Sequence, residues 1–394
     1  MDNQKFNGNR IKEALQFRGM KMTELADKAG ISKQSMSLYS SNKNTPPYES
    51  VIKIAEVLNL PYDYFMVDKP FEATIGNTYF RSQSSATKKA RNAQELKVEY
   101  AAKLYDILLS YVDCPELKLP EHLEMDIDCS INNYNPEEDA AKIEALSTNV
   151  RKYWNLGDGP IENLQYVLES NGIVVTGFRD VDSKIDAFSQ LVEINGRDIY
   201  VIALAIGSKP IERLRFDMAH ELGHILMHQW GGDEEIISNE AFNIREKQAN
   251  MFASSLLLPK NTFGRTVSAY PTEIEYYNTL KKKWKVSIQA MMYRTRQLNI
   301  ISGNQFQYMM RQISKNGWRT KEPGDVPGQL GDTIFQGAID LLFDGGYITK
   351  NDLLSSFSKE GIFLDRSDLE NLMCLREGTL EPEPKAIRLV ALKK

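Results

Sequence analysis

The sequence predicts a multidomain fold, with an all-α unit over residues 1–67, a basic and helical linker over 68–136, an α+β unit over 137–304 and a small, mostly α unit over 305–394. Three observations predict it. Helix-length segments punctuated by Gly, Asn and Pro fill the start of the chain. In the middle, a strong hairpin signal runs directly into two amphipathic helices, and beyond Ser302 helical periodicity dominates. A chain of 394 residues is long enough for two or three domains, each with its own core.

In the first unit, Asn9 to Phe17, Thr23 to Ala29, Lys33 to Tyr39 and Glu49 to Leu58 read as short helices, separated by Gly19, by Gly30-Ile31-Ser32 and by Asn44-Thr45-Pro46-Pro47. Four such helices suit a helix-turn-helix unit. There the helix after the turn enters the major groove with its first residues against base edges, which makes Lys33, Gln34, Ser35 and Ser37, with Lys43 beyond, the candidate DNA contacts. Gln can pair bidentately with adenine, and Lys can reach guanine or phosphate. Up to Met66 the unit has nine Lys and Arg against seven Asp and Glu, in a chain whose net charge is −5. A nucleic-acid site must therefore be a local patch. The competing reading of this unit is a helical protein-interaction module.

The linker holds a basic cluster, Arg81, Lys88, Lys89 and Arg91, which reads as a solvated helix face or as extra phosphate contacts. Ala90 to Val112 is expected to be helical, and Pro115 to Pro136 an acidic, Pro-interrupted connector. In the α+β unit, Ala140 to Trp154 and Pro160 to Ser170 read as helices and Gly172 to Thr176 as a strand. Ala187 to Ile194 and Asp198 to Leu204 flank Asn195-Gly196, a two-residue turn favoured in hairpins because both residues accept positive φ. A sheet followed directly by a metal-binding helix is the zincin arrangement, in which an edge strand pairs with an extended peptide beside the metal.

That helix is marked by His220-Glu221-Leu222-Gly223-His224. At about 100° per residue the two imidazoles lie about 40° apart on one helix face, so both can reach one ion while Glu221 flanks the open position. The chain has four histidines in all, and His220, His224 and His228 cluster here, leaving His122 elsewhere. Glu246 sits on the buried flank of a second helix whose apolar residues Ala249, Phe252, Ala253, Leu256 and Leu257 recur at helical spacing. His220, His224 and Glu246 would form the three-ligand set that leaves catalytic Zn2+ a position for water, with Glu221 as general base. Asn250 is placed to hydrogen-bond a ligand histidine from outside the ligand set, and His228 is assigned a supporting, oxyanion or packing role rather than ligation.

Past Ser302, Phe306 to Ile313 reads as helical and Gly317 to Gly324 as a link. Three or so helices follow, one carrying Ile334, Ala338, Leu341, Leu342 and Phe343, and another opening at Ile348 behind the Gly345-Gly346 break. This unit is expected to sense a signal or dock a partner, or else to cap the unit before it. Cys114, Cys129 and Cys374 are odd in number and lack C-x-x-C spacing, which argues against a disulfide framework and a cysteine metal site. The polar stretch Met1 to Arg10 and the lack of a membrane-length apolar run suggest a cytoplasmic protein with no membrane partner. A homodimer is left open.

Two resemblances sharpen this. Arg10-Ile11-Lys12-Glu13, Thr23 to Ser32 and Val51 to Leu58 resemble the XRE family of phage-repressor-type DNA-binding domains, although Lys21-Met22 replaces that family's usual Thr-Gln and Ser40-Ser41-Asn42 its usual Glu-x-Gly. Trp154-Asn155-Leu156-Gly157, Gly159-Pro160-Ile161, Ile185 to Ser189, Arg215 to His224, Ala249 to Ala253 and Leu257-Leu258-Pro259 resemble the ImmA/IrrE family of zinc metallopeptidases. The resemblance implies a bacterial or phage-encoded, DNA-associated zinc metalloendopeptidase of gluzincin-like type and narrow specificity. Its substrate would be a repressor-like (XRE-type) transcription factor, whose cleavage derepresses phage, mobile-element or stress-response genes. The alternative is a helix-turn-helix regulator whose protease-like domain serves as a sensor or interaction platform without turnover.

Overall fold

The structure, a computed structural model, describes residues 5–66, 74–80, 87–120, 135–179, 186–207, 209–228 and 238–382; Arg81, His122, Cys129 and Ile185 lie outside them. The first unit consists of α1 (Asn9–Phe17), α2 (Met22–Ala29), α3 (Lys33–Ser40) and α4 (Tyr48–Leu58), closed by a 3-10 turn at Tyr62–Met66. Local chemistry sets these bounds. Gly30 ends α2 at φ 65°, the Ser32 hydroxyl accepts the Ser35 N–H at 3.0 Å to start α3, and Asn59 ends α4 at φ 48°. Ile11, Leu25, Met36, Ile54 and Leu58 fill the centre.

Next comes the stretch read as a basic and helical linker, with Ala90 to Val112 expected to be helical. It contributes a strand, β1 (Thr74–Phe80), and a long helix, α5 (Lys88–Leu108). The first turns of α5 carry the solvated basic residues Lys88 and Lys89, but Val98, Tyr100, Ala101, Ala102, Leu104 and Leu108 are buried. So many apolar positions on successive faces mark a helix packed from more than one side, here by the first unit and by the sheet.

The α+β domain adds α6 (Pro136–Tyr153), α7 (Leu164–Ser170), β2 (Val174–Phe178), β3 (Ala187–Ile194) and β4 (Arg197–Ala205). Asn195 and Gly196 take φ of 53° and 75° in the β3–β4 turn. The sheet order is β1-β3-β4-β2, with β2 parallel to β4 and the other pairs antiparallel. Neither hairpin strand is therefore an edge: β1 covers the outer side of β3. One sheet face, with Val175, Ala187, Ile202 and Leu204, packs on the helix that follows, α8 (Ile211–Met227). The other, with Val174, Phe188, Val192 and Val201, packs towards α5.

Helices α9 (Asn239–Leu257), α10 (Lys260–Val267), α11 (Ile274–Trp284), α12 (Ile288–Gln297) and α13 (Gly303–Lys315) complete the α8 side. The last three, α14 (Ile334–Asp344), α15 (Lys350–Lys359) and α16 (Arg366–Leu372), join a core shared with α5 and the helix-turn-helix unit. Tyr105 of α5 meets Phe335 edge to face, and Thr176 of β2 donates its hydroxyl proton to the Leu372 carbonyl at 2.8 Å. The C-terminal helices thus lie on the sheet face opposite α8. Among the described residues, no helix is long and apolar enough to cross a membrane.

Arg10 pins the two ends of the chain together. It is 1% exposed, and its guanidinium donates to the Tyr64 carbonyl at 3.0 Å and the Gly361 carbonyl at 3.1 Å while pairing with Glu13 at 2.6 Å. Arg10→Ala leaves two carbonyls and a carboxylate without this donor, so a loss of about 3 kcal/mol is expected in urea unfolding. A loss below 1 kcal/mol would show that the first unit does not depend on this anchor.

Candidate metal centre

Helix α8 runs out of the β4 end of the sheet and carries His220, Glu221 and His224 on its buried side, all three within 2% of full burial. Gly223 lets α9 approach closely: a β-carbon there would stand 3.1 Å from the Phe252 ring and 3.3 Å from Ala249 Cα. This approach brings Glu246, one turn before Asn250 on α9, to the histidines. His220 Nε2 and His224 Nε2 are 3.0 Å apart, with Glu246 oxygens at 3.6 and 3.2 Å from them respectively.

The remaining ring nitrogens fix what faces the centre. His220 Nδ1 lies 3.2 Å from Asn250 Oδ1, and Asn250 in turn donates to the Glu246 backbone carbonyl at 2.7 Å. An amide oxygen accepts only, so Nδ1 carries the proton and neutral His220 turns a lone pair inward from Nε2. His224 Nδ1 lies 2.7 Å from His228 Nδ1, and the chain continues from His228 Nε2 to Gln248 Oε1 at 3.1 Å and from Gln248 Nε2 to Asp139 Oδ2 at 2.9 Å. Read from the Asp139 carboxylate, Gln248 donates to Asp139, His228 Nε2–H donates to Gln248, and His224 Nδ1–H donates to His228. Nε2 of His224 is then also a lone pair aimed at the centre. Burial, then the neighbouring His224, pushes the His228 pKa well below its ordinary value, in keeping with a neutral ring.

Three acceptors therefore converge: two imidazole lone pairs and a carboxylate. Such a set fits a cation, and its N, N, O composition suits zinc. Burial would raise the Glu246 pKa, but in the metal-free site, where protons on the His220 and His224 Nε2 atoms face the carboxylate, their hydrogen bonds and charge outweigh burial and hold the carboxyl at about 2. Glu221 lies outside this set, its Oε2 accepting the Ser189 hydroxyl of β3 at 2.7 Å. A cleft of about 520 Å³ opens alongside, lined by Asp186, Lys209, Asp217, Asn250, Tyr293 and Gln297 among others.

Spacing alone did not point to Ser189, Gln248 or Asp139. On the first unit, Lys33, Gln34, Ser37 and Lys43 are exposed, whereas Ser35 is half-buried and its hydroxyl accepts from Ser32 within the α3 cap. Lys33, Gln34 and Ser37 thus share an open helix face, and Lys43 follows it on the loop.

The fold and this centre define a helix-turn-helix unit joined to a metallopeptidase-type domain. Comparison with known families agrees: residues 168–296 match the IrrE N-terminal-like domain of the M78 peptidases, and residues 8–68 match a helix-turn-helix domain. The chain thus has the helix-turn-helix-fused ImmA/IrrE architecture. No curated protein matches it.

Proposed function

We propose that this protein is a DNA-associated zinc peptidase that cleaves one repressor-type DNA-binding protein, so relieving repression. The observation that carries the reading is the convergence of two imidazole lone pairs and the Glu246 carboxylate beside Glu221. His220, His224 and Glu246 would hold zinc, which when bound supplies Lewis acidity for the scissile carbonyl and a water of lowered pKa. Glu221 takes the proton of the attacking water and passes it to the leaving amine. Ser189 holds that carboxylate in place, and Asn250 holds the His220 ring.

Asp139, Gln248 and His228 act through His224 as positioning residues, fixing its tautomer and orientation. Gln248→Leu and Asp139→Asn are each expected to lower zinc affinity by roughly 10- to 100-fold. Competition against a chromophoric chelator reads this directly; affinities equal to the parent's would remove the chain from the account.

DNA binding is expected to run through α3. Lys33→Ala or Gln34→Ala in the full chain should change sequence preference, whereas Lys88→Ala or Lys89→Ala should weaken binding uniformly and reduce its salt dependence. Fluorescence anisotropy on a selected site and a scrambled duplex at two salt concentrations separates the two behaviours. Salt-insensitive or absent binding at low ionic strength would make the unit a protein-docking module.

A further inference from the structure

The strand on the outer side of β3 is not part of the matched peptidase domain. β2, β3 and β4 fall within residues 168–296, whereas β1, at 74–80, comes from between the helix-turn-helix unit and α5. Without β1, the antiparallel strand β3 would be the edge. An edge strand presents a row of unpaired N–H and C=O groups, and those are the groups an extended peptide pairs with.

The register brings this edge to the chemistry. Ser189, whose hydroxyl bonds Glu221, faces Tyr79 in the β1–β3 ladder. Any strand seated there passes beside the Glu221 carboxylate. Two groups of the centre are closed off from solvent: His220 and Glu221 are 0% exposed, and neither lines the neighbouring cleft.

We infer that the outer edge of β3 is the peptide-binding edge of this site, and that β1 is its resident occupant, which a substrate must displace. The inference rests on the peptidase reading. One row of backbone groups pairs with one strand at a time, so β1 and an extended substrate exclude each other. A tethered segment competes at an effective concentration on the order of millimolar, which suppresses binding of free peptides far below that level. The register shift between Ile75 and Thr78 breaks the ladder, leaving β1 a less complete partner than an unbroken strand. A substrate docked elsewhere on the protein, itself locally concentrated, can displace such a strand; an undirected unfolded chain cannot.

The test uses zinc-loaded, full-length protein in a Glu221→Gln background, with fluorescein-labelled, reduced casein as the probe. Thr74 and Glu193 are facing residues in the ladder, and Glu193 is exposed. Facing Cα atoms in an antiparallel pair are about 4.5–5.5 Å apart, within disulfide reach. Thr74→Cys/Glu193→Cys should therefore cross-link on mild oxidation and lock β1 down. Thr78→Pro/Tyr79→Pro removes the N–H groups of two successive residues, one of which points at β3, and should open the edge. The opened variant should bind casein at least tenfold more tightly than the parent and exchange the amides of residues 188–193 faster, while the cross-linked variant binds none.

Failure of the disulfide to form, or equal casein binding by cross-linked and opened proteins, overturns the inference. Should circular dichroism show the proline pair unfolded, Thr78→Gly/Tyr79→Gly weakens the same pairing and takes its place. Failure of the peptidase reading has a separate signature: the opened variant with Glu221 intact binds casein and leaves it uncut.

Discussion

Glu221→Gln is expected to bind zinc as tightly as the parent protein and to lose peptide cleavage by roughly 10²- to 10⁴-fold. Glutamine matches the shape of glutamate, and its amide oxygen can still accept the Ser189 hydroxyl that holds Glu221 at 2.7 Å. It cannot take up a proton at neutral pH. Since Glu221 lies outside the group formed by His220, His224 and Glu246, the metal should stay. Zinc content by elemental analysis and single-turnover cleavage, measured on the same samples, separate the two effects. A Glu221→Gln protein with parental turnover would remove Glu221 from the chemistry, and a parent with no turnover under any condition would favour the platform reading.

Glu246→Ala should do the reverse, losing metal and, with it, activity. It deletes one of the three converging acceptors, and His228 cannot replace it because its Nδ1 already faces His224 Nδ1, on the far side of that ring from Nε2. The expected loss of zinc affinity exceeds the roughly 10- to 100-fold that an outer partner costs. Once His220 and His224 carry protons, their hydrogen bonds and charge outweigh burial and hold the Glu246 carboxyl at about 2, so it stays ionised until strongly acid pH. Metal loss on mild acidification should therefore follow protonation of the histidines rather than of Glu246. Equal zinc in the parent and Glu246→Ala proteins would take Glu246 out of the ligand set.

What the sequence made legible was local. The four N-terminal helices start and stop within a residue of their expected bounds, because Gly30, Ser32 and Asn59 act on their own turns. Asn195-Gly196 announced the β3–β4 hairpin for the same reason. His220 and His224 share one helix face by spacing alone, and the periodicity of its own helix put Glu246 on the flank that lies beside them.

What escaped depends on contacts between distant residues. Gln248 and Asp139 are 109 positions apart, and Arg10 meets Gly361 across 351. β1 pairs with a strand more than a hundred residues later, so no periodicity in its own seven residues could name its partner. The burial of α5 was hidden in the same way: its polar first turns read as solvated, while the packing surfaces for the remainder come from the first unit, the sheet and the C-terminal helices. The C-terminal helices, expected to sense, dock or cap, share that core on the sheet face away from His220, His224 and Glu246.

The central claim is that the converging histidines and Glu246 serve peptide hydrolysis. Zinc-loaded protein with the β1 edge opened, alongside its Glu221→Gln counterpart, should be incubated with repressor-type proteins encoded by neighbouring genes and followed by intact-mass spectrometry. The account predicts two fragments of one repressor whose masses sum to the parent plus one water, produced only when Glu221 is present and zinc is bound. Intact repressors throughout, or cleavage that persists in Glu221→Gln or after zinc removal, would contradict it.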